Sequence, residues 1–186
     1  MAEFRPEGDI LRGLAEVQRE AASGRQLPPV DAWNPQDCGA IDMRIARDGT
    51  WFYQGTPIGR PAMLRLFSTI LRREANGDYV LVTPVEKMRI KVEDAPFIAV
   101  LAEQRGNVIR FTTNVGDVVE AGVDHPIRVE TAADGEPAPY VHVRGRLEAR
   151  IARAAFYDLV AMGERKDGKI GVWSGGQFFI LGEDGG

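Results

Sequence analysis

Apolar residues recur at helical spacing in three segments of the chain. In residues 9–22 they return every three or four positions, and Asp9 can cap the segment. Residues 60–75 carry the same stripe behind Pro61, a residue that suits the first turn of a helix. Residues 146–163 carry a wider apolar stripe. This spacing predicts an N-terminal helix and one further helix in each half of the chain that follows.

The second of these helices is predicted to end at Asn76-Gly77, a pair that fits a left-handed C-terminal cap. Arg72 and Arg73 would then lie in the last turn, where the helix dipole favours positive charge. Arg65 and Arg72 are seven positions apart, so both would project from the face opposite the apolar stripe.

Alternation of apolar and polar residues predicts strands in most of the remaining chain. Residues 41–55 have the pattern of a hairpin, with Asp48-Gly49 as the tight turn and an aromatic return strand from Trp51. Residues 170–181 predict a final hairpin around Ser174-Gly175-Gly176. Many short strands with few helices indicate the α+β class.

The middle of the chain contains an internal similarity. Residues 79–102 and 108–131 both predict two strands, a corner of the form Asp-X-Pro and a third strand. The two corners are Asp94–Pro96 and Asp124–Pro126. Two copies are too few for a solenoid, so the similarity predicts a duplicated antiparallel β unit.

These patterns together predict how the chain is organised. We expect an N-terminal helix over residues 1–26, a first α+β sub-domain over residues 27–95 and a second over residues 96–186. Each sub-domain would hold a curved antiparallel sheet with one packed helix.

The composition excludes several functional classes. The chain has 23 basic and 27 acidic residues, a net charge of −4 and a pI near 5.3, which argue against DNA or RNA as a partner. Its longest apolar run, Phe97–Ala102, is too short to span a membrane, and its N-terminus lacks the apolar core of a signal peptide. The single cysteine, Cys38, excludes an internal disulfide. We therefore expect a cytoplasmic protein.

Arginine outnumbers lysine by 19 to 4, and part of this excess is concentrated at one predicted helix. Residues 57–73 contain four basic side chains and no acidic one: Arg60, Arg65, Arg72 and Arg73. Arg60 lies at the helix start, where backbone N–H groups and the dipole attract anions and a guanidinium can bind phosphate through two hydrogen bonds. This stretch predicts a site for a small anion.

Other residues are candidate contacts for the same ligand. Trp51 or Tyr53 could stack on a base, although burial in the core is an open alternative for both. The polar turn Thr83–Lys87 could supply contacts from Thr83, Glu86 and Lys87, although turn composition alone could explain it. Phe97 would form an apolar wall.

The sequence carries no recognised catalytic signature, and we expect no cofactor. Its two histidines, His125 and His142, lie in no zinc-binding pattern. Asp94, Asp124 and His125 could form a carboxylate-based, metal-dependent hydrolytic site if the repeats are related by symmetry. The alternative is that both aspartates form turns, because an Asp carboxylate bonds backbone N–H groups there.

A long run of motifs resembles an uncharacterised bacterial family, domain of unknown function 1285, over about residues 33–181. The matching residues are Trp33–Pro35, Cys38–Ile45, Asp48–Tyr53, Gly55–Ile58, Arg60, Leu66-Phe67, Val82–Lys87 and Val92–Phe97. The resemblance implies a domain duplication whose C-terminal part is superficially like a pleckstrin-homology fold. It also implies a nucleotide-like ligand at the interface of the two domains and a role in signalling.

These observations leave three functional hypotheses. The first is a non-catalytic cytoplasmic module that binds a small anionic ligand, such as a nucleotide, between the two halves. The second is the carboxylate-based hydrolase. The third is a protein-interaction module that pairs through a sheet edge or an apolar helix face, with a partner or with itself as a homodimer.

Overall fold

The computed structural model describes residues 13–15, 17–19 and 27–185. The predicted helix over residues 9–22 lies largely outside this part of the chain, although the described residues within it have helical backbone. Contacts divide the chain into two compact units, Met1–Glu93 and Asp94–Gly186. Within the described residues, every helix is too short or too polar to cross a membrane.

The first unit is built on a six-stranded sheet. After a short 3-10 turn at Val30–Ala32, its elements are β1 (Gln36–Ile45), β2 (Trp51–Tyr53), β3 (Thr56–Pro57), α1 (Pro61–Thr69), β4 (Leu71–Arg73), β5 (Tyr79–Val82) and β6 (Glu86–Val92). The strand order is β3-β2-β1-β6-β5-β4. All neighbours are antiparallel except β1 and β6, which are parallel.

The second unit holds a six-stranded and a three-stranded sheet. Its elements are β7 (Phe97–Arg105), β8 (Val108–Thr113), β9 (Val118–Glu120), β10 (Ile127–Thr131), β11 (Pro137–Arg144), β12 (Leu147–Ile151), α2 (Arg153–Ala161), β13 (Glu164–Lys166), β14 (Lys169–Ser174) and β15 (Gln177–Glu183). The larger sheet has the order β10-β11-β12-β7-β8-β9, and the smaller one has the order β13-β14-β15.

The two larger sheets repeat one topology, which confirms the α+β class and the duplicated β unit. In both, three strands run in sequence to one edge, three more run in sequence from the other edge, and the sixth lies parallel to the first. The expectation of antiparallel sheets holds for every neighbouring pair but this one and was wrong there, because each copy closes with this parallel pair. A connection through several intervening strands allows such a pair, whereas a tight hairpin does not.

The predicted register of the duplication was also wrong. Residues 79–102 cover β5, β6 and β7, the last two strands of the first sheet and the first strand of the second. Residues 108–131 cover β8, β9 and β10, the second to fourth strands of one sheet. The segments are similar because successive strands of a meander share one alternation of apolar and polar residues, whatever their place in the sheet.

The helix predicted over residues 60–75 ends earlier than expected. α1 stops at Thr69, and the chain continues as β4, which pairs with β5. Asn76-Gly77 forms the turn of this hairpin, closed by a 2.8 Å bond from Glu74 N to Asp78 O. An Asn-Gly pair suits a hairpin turn as well as a helix cap, so the residues alone could not separate the two.

The helix predicted over residues 146–163 was wrong at its start. Leu147, Ala149 and Ile151 are buried on one face of β12, and α2 begins only at Arg153. Positions 147, 151, 155 and 159 satisfy helical spacing, but 147, 149 and 151 also satisfy strand spacing. Pairing of β12 with both β11 and β7 decides the outcome.

A buried serine ties the small sheet of the second unit to the large one. Ser174 ends β14, is fully buried, and accepts a 2.7 Å hydrogen bond from Ile109 N. Its hydroxyl donates another, also 2.7 Å long, to Ala121 O. The predicted glycine turn follows, with Gly175 and Gly176 at positive φ.

Replacing Ser174 with alanine is expected to lower the free energy of unfolding by about 2 kcal/mol, because a buried N–H and a buried C=O both lose their partner. Urea denaturation followed by circular dichroism measures the change. Thr69→Ala is the control, since Thr69 Oγ1 bonds a carbonyl of its own helix, Leu66 O. Equal losses of unfolding free energy in Ser174→Ala and Thr69→Ala would contradict the role of Ser174 as a bridge between the two sheets.

Candidate functional site

Arg60 lies where the sequence predicted, directly before α1. Its side chain is exposed, and its carbonyl accepts hydrogen bonds from Met63 N (3.0 Å) and Leu64 N (3.2 Å). Pro61 occupies the first position of the helix, and the first turn contains no acidic residue. Arg65, on the same helix, is also exposed. The structure therefore keeps the helix start free of acidic residues, with exposed Arg60 directly before the helix and exposed Arg65 on it.

Arg72 and Arg73 belong to β4 and not to the helix, so their predicted place in its last turn was wrong. The Arg72 guanidinium donates to Val30 O (2.6 Å), Trp33 O (2.7 Å) and the Glu74 carboxylate (2.7 Å). Arg73 lies over the Tyr79 ring, 5.2 Å from its centre. Arg72 thus connects the residues before β1 to the edge of the sheet, and its charge is matched by Glu74.

Thr83 and Glu86 lie together in the turn between β5 and β6. Thr83 is buried, and its hydroxyl accepts from Glu86 N at 3.3 Å. Thr83 N donates to Glu86 O at 2.9 Å. These bonds close the turn through the Thr83 hydroxyl and the backbone of Glu86, as the turn alternative expects, and the Glu86 side chain is itself buried.

Lys87 follows the same turn and contributes to the Arg72 cluster. Its Nζ lies 3.4 Å from the Glu74 carboxylate, and only a fifth of the side chain is exposed. The Arg72 guanidinium, bound to Glu74, holds the pKa of that carboxyl below its usual value, with a smaller contribution from Lys87. The structure therefore gives Lys87 a partner inside the first unit.

The predicted aromatic contacts divide into core and surface residues. Trp51 is fully buried, with its ring stacked on Phe67 at 6.2 Å between centres, so it offers no face to a base. Phe97 is also fully buried, with the Arg144 guanidinium 5.0 Å from its ring centre. Tyr53 is half-buried at the end of β2. Of the predicted aromatic residues, Tyr53 retains access to solvent.

The alternative metal site of Asp94, Asp124 and His125 is not formed. Asp94 accepts hydrogen bonds from the Tyr140 hydroxyl (2.6 Å) and from Arg150 (3.0 Å). His125 Nδ1 lies 3.1 Å from a backbone carbonyl. Nowhere in the described part of the chain do three His, Cys, Asp or Glu side chains gather as metal ligands would. The condition set by the hydrolase hypothesis, that these three residues meet, is not satisfied.

A polar cluster that the sequence pattern did not predict surrounds Asp94. Arg128, Tyr140 and Arg150 lie directly opposite one another on β10, β11 and β12, and both guanidiniums lie over the Tyr140 ring, at 4.3 and 5.2 Å. Burial raises the pKa of Tyr140, and its hydrogen bond to Asp94 raises it further. Both carboxylate oxygens of Asp94 are engaged, so the cluster anchors the first residue of the second unit to its own sheet.

Two surface grooves in the second unit were also missed. One, of about 500 Å³, opens between β10, α2 and the β14–β15 hairpin. The other, of about 470 Å³, lies beside β9 and the residues that follow it up to His125. The first combines residues far apart in sequence, so only the strand order could have pointed to it, whereas the second is lined by Arg110 and by residues between Val118 and His125.

Comparison with known proteins gives consistent matches over both units. Residues 28–95 match the family model "Domain of unknown function (DUF1285), N-terminal domain", and residues 96–181 match "Protein of unknown function (DUF1285), C-terminal domain". No curated protein matches the chain.

Two crystal structures of proteins of that description are similar to the chain. One, from Silicibacter pomeroyi DSS-3, is 55% identical, with 90% of this chain and 94% of that chain covered and a TM-score of 0.81. The other, from Shewanella baltica OS155, is 27% identical, with 65% of this chain and 91% of that chain covered and a TM-score of 0.54.

Proposed function

Because the chain belongs to the DUF1285 family, which is described as of unknown function, we propose its function from the site: a non-catalytic module that binds a small, nucleotide-like anion at the start of α1. The observation that carries this proposal is the position of Arg60. An exposed guanidinium stands immediately before a nine-residue helix whose first turn contains no acidic residue. The positive end of the helix dipole and a planar, forked cation together suit phosphate.

The surroundings of Arg60 support the same ligand class. The segment from Gly55 to Arg60, which includes β3, is exposed except at Ile58, so a ligand can approach the helix start. Tyr53 pairs with Thr56 across the β2–β3 hairpin, so a half-exposed aromatic ring begins the segment that leads to Arg60.

The proposal is narrower than the sequence-based hypothesis. Thr83, Glu86 and Lys87 make contacts within their own unit, and Trp51 and Phe97 lie in the core. We therefore propose that Arg60 binds phosphate and that Tyr53 contacts a base. A signalling role of the kind that the family resemblance implies would act through occupancy of this site.

Arg60→Ala is expected to weaken binding of a nucleotide about tenfold to a hundredfold, because a hydrogen bond to a charged group contributes about 1.5–3 kcal/mol. Isothermal titration calorimetry with ATP, ADP, GMP and cyclic nucleotides measures the affinity. Arg65→Ala is the matched control, since it removes the same charge from the same helix. Its affinity is expected to stay within about threefold, because screened surface charges contribute little.

Two results would overturn the proposal. One is the absence of binding by every nucleotide in the panel at millimolar concentration. The other is an equal loss of nucleotide affinity in Arg60→Ala and Arg65→Ala. Such a result would indicate that nucleotides are attracted to positive charge in general and that no residue makes a defined phosphate contact.

A further inference from the structure

The turn between β4 and β5 contains an asparagine followed by a glycine, Asn76-Gly77. The other asparagines of the chain precede proline or valine. Because glycine has no side chain to shield its backbone nitrogen, this nitrogen can approach the side-chain carbonyl of the residue before it. Asn76 is exposed at the tip of the hairpin, so water and hydroxide reach it. The pair is therefore placed for an intramolecular reaction.

Three hydrogen bonds hold the groups that would react. Gly77 N donates to Glu74 O at 3.0 Å. Asn76 Nδ2 donates to the Asp78 carboxylate, and Asn76 Oδ1 accepts from Asp78 N, both at 3.0 Å. The bond to Asp78 N is the turn that an asparagine side chain commonly forms with the residue two positions later. In the closed hairpin, the backbone nitrogen and the side-chain amide therefore both have partners.

The reaction converts the side-chain amide of Asn76 into a carboxylate. Gly77 N loses its proton and attacks Asn76 Cγ, so that an N–Cγ bond forms and the Cγ–Nδ2 bond breaks. The Nδ2 group leaves as ammonia and takes up a proton equivalent to the one that Gly77 lost. Water then opens the resulting cyclic imide at either of its carbonyls, which gives aspartate or isoaspartate. The reaction consumes water, releases ammonia and needs no oxidant or reductant.

The closed hairpin opposes this reaction. Attack requires removal of the proton that Gly77 N donates to Glu74 O, and ammonia can leave only when its nitrogen is released by the Asp78 carboxylate. Both groups must therefore be freed first, which requires a local opening of the turn. A chemical step that takes place only in a transiently open state follows the population of that state. The stability of the hairpin therefore sets the rate of the reaction.

Glu74 connects this turn to the network of Arg72. Its backbone N donates to Asp78 O at 2.8 Å, and its carboxylate accepts from the Arg72 guanidinium at 2.7 Å. Arg72 also donates to the carbonyls of Val30 and Trp33, before β1. The residue that accepts from Gly77 N is thus anchored to groups outside the hairpin. Loss of the Arg72 side chain removes this anchor, so the turn should open more often.

The product cannot restore the closed turn. A carboxylate at position 76 has no hydrogen to donate to Asp78, so two negative charges lie where a 3.0 Å hydrogen bond had been. Isoaspartate also adds a carbon atom to the main chain, which shifts the register of β4 against β5. Opening is thus followed by a chemical change that favours the open hairpin.

We propose that Asn76 is a site of spontaneous deamidation, and that opening of the β4–β5 hairpin controls the reaction and is made permanent by it. The modification adds a negative charge at the tip of the hairpin and weakens the strand pair in which Arg72 lies. The site does not depend on anion binding at the start of α1, so either proposal can fail alone.

Peptide mapping of the full-length protein by mass spectrometry, after incubation at mildly alkaline pH, tests the site. In guanidinium chloride, Asn76 should be converted at least about tenfold faster than Asn107 and Asn114, because these two precede valine. In the folded protein, the rate at Asn76 should fall at least about tenfold, because the turn is closed for most of the time. Equal rates at the three asparagines in guanidinium chloride would overturn the site. Equal rates at Asn76 in the folded and the denatured protein would overturn control by the hairpin.

Two variants separate hairpin opening from a general loss of stability. Arg72→Ala should raise the rate at Asn76 in the folded protein at least about threefold, because Glu74 loses its anchor. Ser174→Ala, which removes hydrogen bonds within the second unit, should leave this rate within about twofold of the natural protein. An equal increase in both variants, or no increase in Arg72→Ala, would overturn control by the hairpin.

Asn76→Asp places the charge of the product in the turn and tests whether the change is permanent. Hydrogen exchange at the amides of β4 and β5 should be at least about threefold faster than in Asn107→Asp, which adds the same charge at an exposed asparagine of the second unit. Equal exchange in the two variants would show that the product closes the turn as well as asparagine does, and would overturn the permanent change.

Discussion

Replacing Trp51 with alanine is expected to lower the free energy of unfolding by about 3–5 kcal/mol. The indole is fully buried in the first unit and stacks on Phe67 of α1, with 14° between the ring planes. Its removal costs the transfer free energy of a large aromatic side chain and leaves a cavity between β2 and the helix. Urea denaturation followed by circular dichroism measures the loss.

Trp173→Ala is the matched control for this prediction. Trp173 lies on β14, is 44% exposed, and its indole N–H donates to Glu164 at 2.6 Å. Its removal takes less apolar area out of the core, so a loss of about 1 kcal/mol is expected. Equal losses in the two variants would contradict a core role for Trp51. A nucleotide affinity that falls in Trp51→Phe, with the fold intact, would restore Trp51 as a ligand contact.

The fold class was predictable because alternation and turn residues are local signals. The hairpin from β1 to β2 has the expected Asp48-Gly49 turn, with Gly49 at a φ of 87°, and Ile45 opposite Trp51. Prediction from the sequence failed where the apolar residues of one segment satisfy both helical and strand spacing. Leu147–Ile151 fits a helix and a strand, and its pairing with β7, about fifty residues earlier, decides the outcome. A pairing partner so distant along the chain leaves no local signal.

The candidate site was predictable only in part, for a related reason. Arg60 follows from local rules, since a cation beside an acid-free helix start can be identified from adjacent residues. The groove could not be identified in this way, because Val129, Phe156 and Ile180 meet only through the order of the strands.

Arg72 shows how a wrong secondary structure changes a functional interpretation. As a helix residue it would have been a solvated charge in the last turn of the helix that begins at the proposed anion site. As a β4 residue it is 12% exposed and donates to two carbonyls and one carboxylate.

Arg72→Ala is therefore expected to lower the free energy of unfolding by about 3 kcal/mol, because these acceptors lose a charged donor in a partly buried place. Arg73→Ala, the neighbouring change in the same strand, is expected to cost about 1 kcal/mol, since half-buried Arg73 loses only a cation–π contact with Tyr79 and a long, 3.4 Å hydrogen bond to Gly77 O.

Measuring stability as a function of pH separates the contribution of the Arg72–Glu74 ion pair from the other contributions of the Arg72 side chain. Arg72 lowers the pKa of Glu74 in the folded protein below its ordinary value of 4.5. A lowered folded-state pKa contributes stability that is present above the unfolded-state pKa and is lost as the pH falls through the folded-state pKa. The difference in the free energy of unfolding between the natural protein and Arg72→Ala should therefore be constant near neutral pH. It should become smaller below about pH 4.5, as Glu74 becomes protonated in both proteins. Glu74→Gln should remove this narrowing of the stability difference, because the titrating group is gone.

Arg72→Lys should recover less than half of the stability that Arg72→Ala loses, since an ammonium cannot span the Val30, Trp33 and Glu74 acceptors with the geometry of a guanidinium. A difference that stays constant down to pH 3 would show that Arg72 stabilises the sheet edge without a contribution from its ion pair with Glu74.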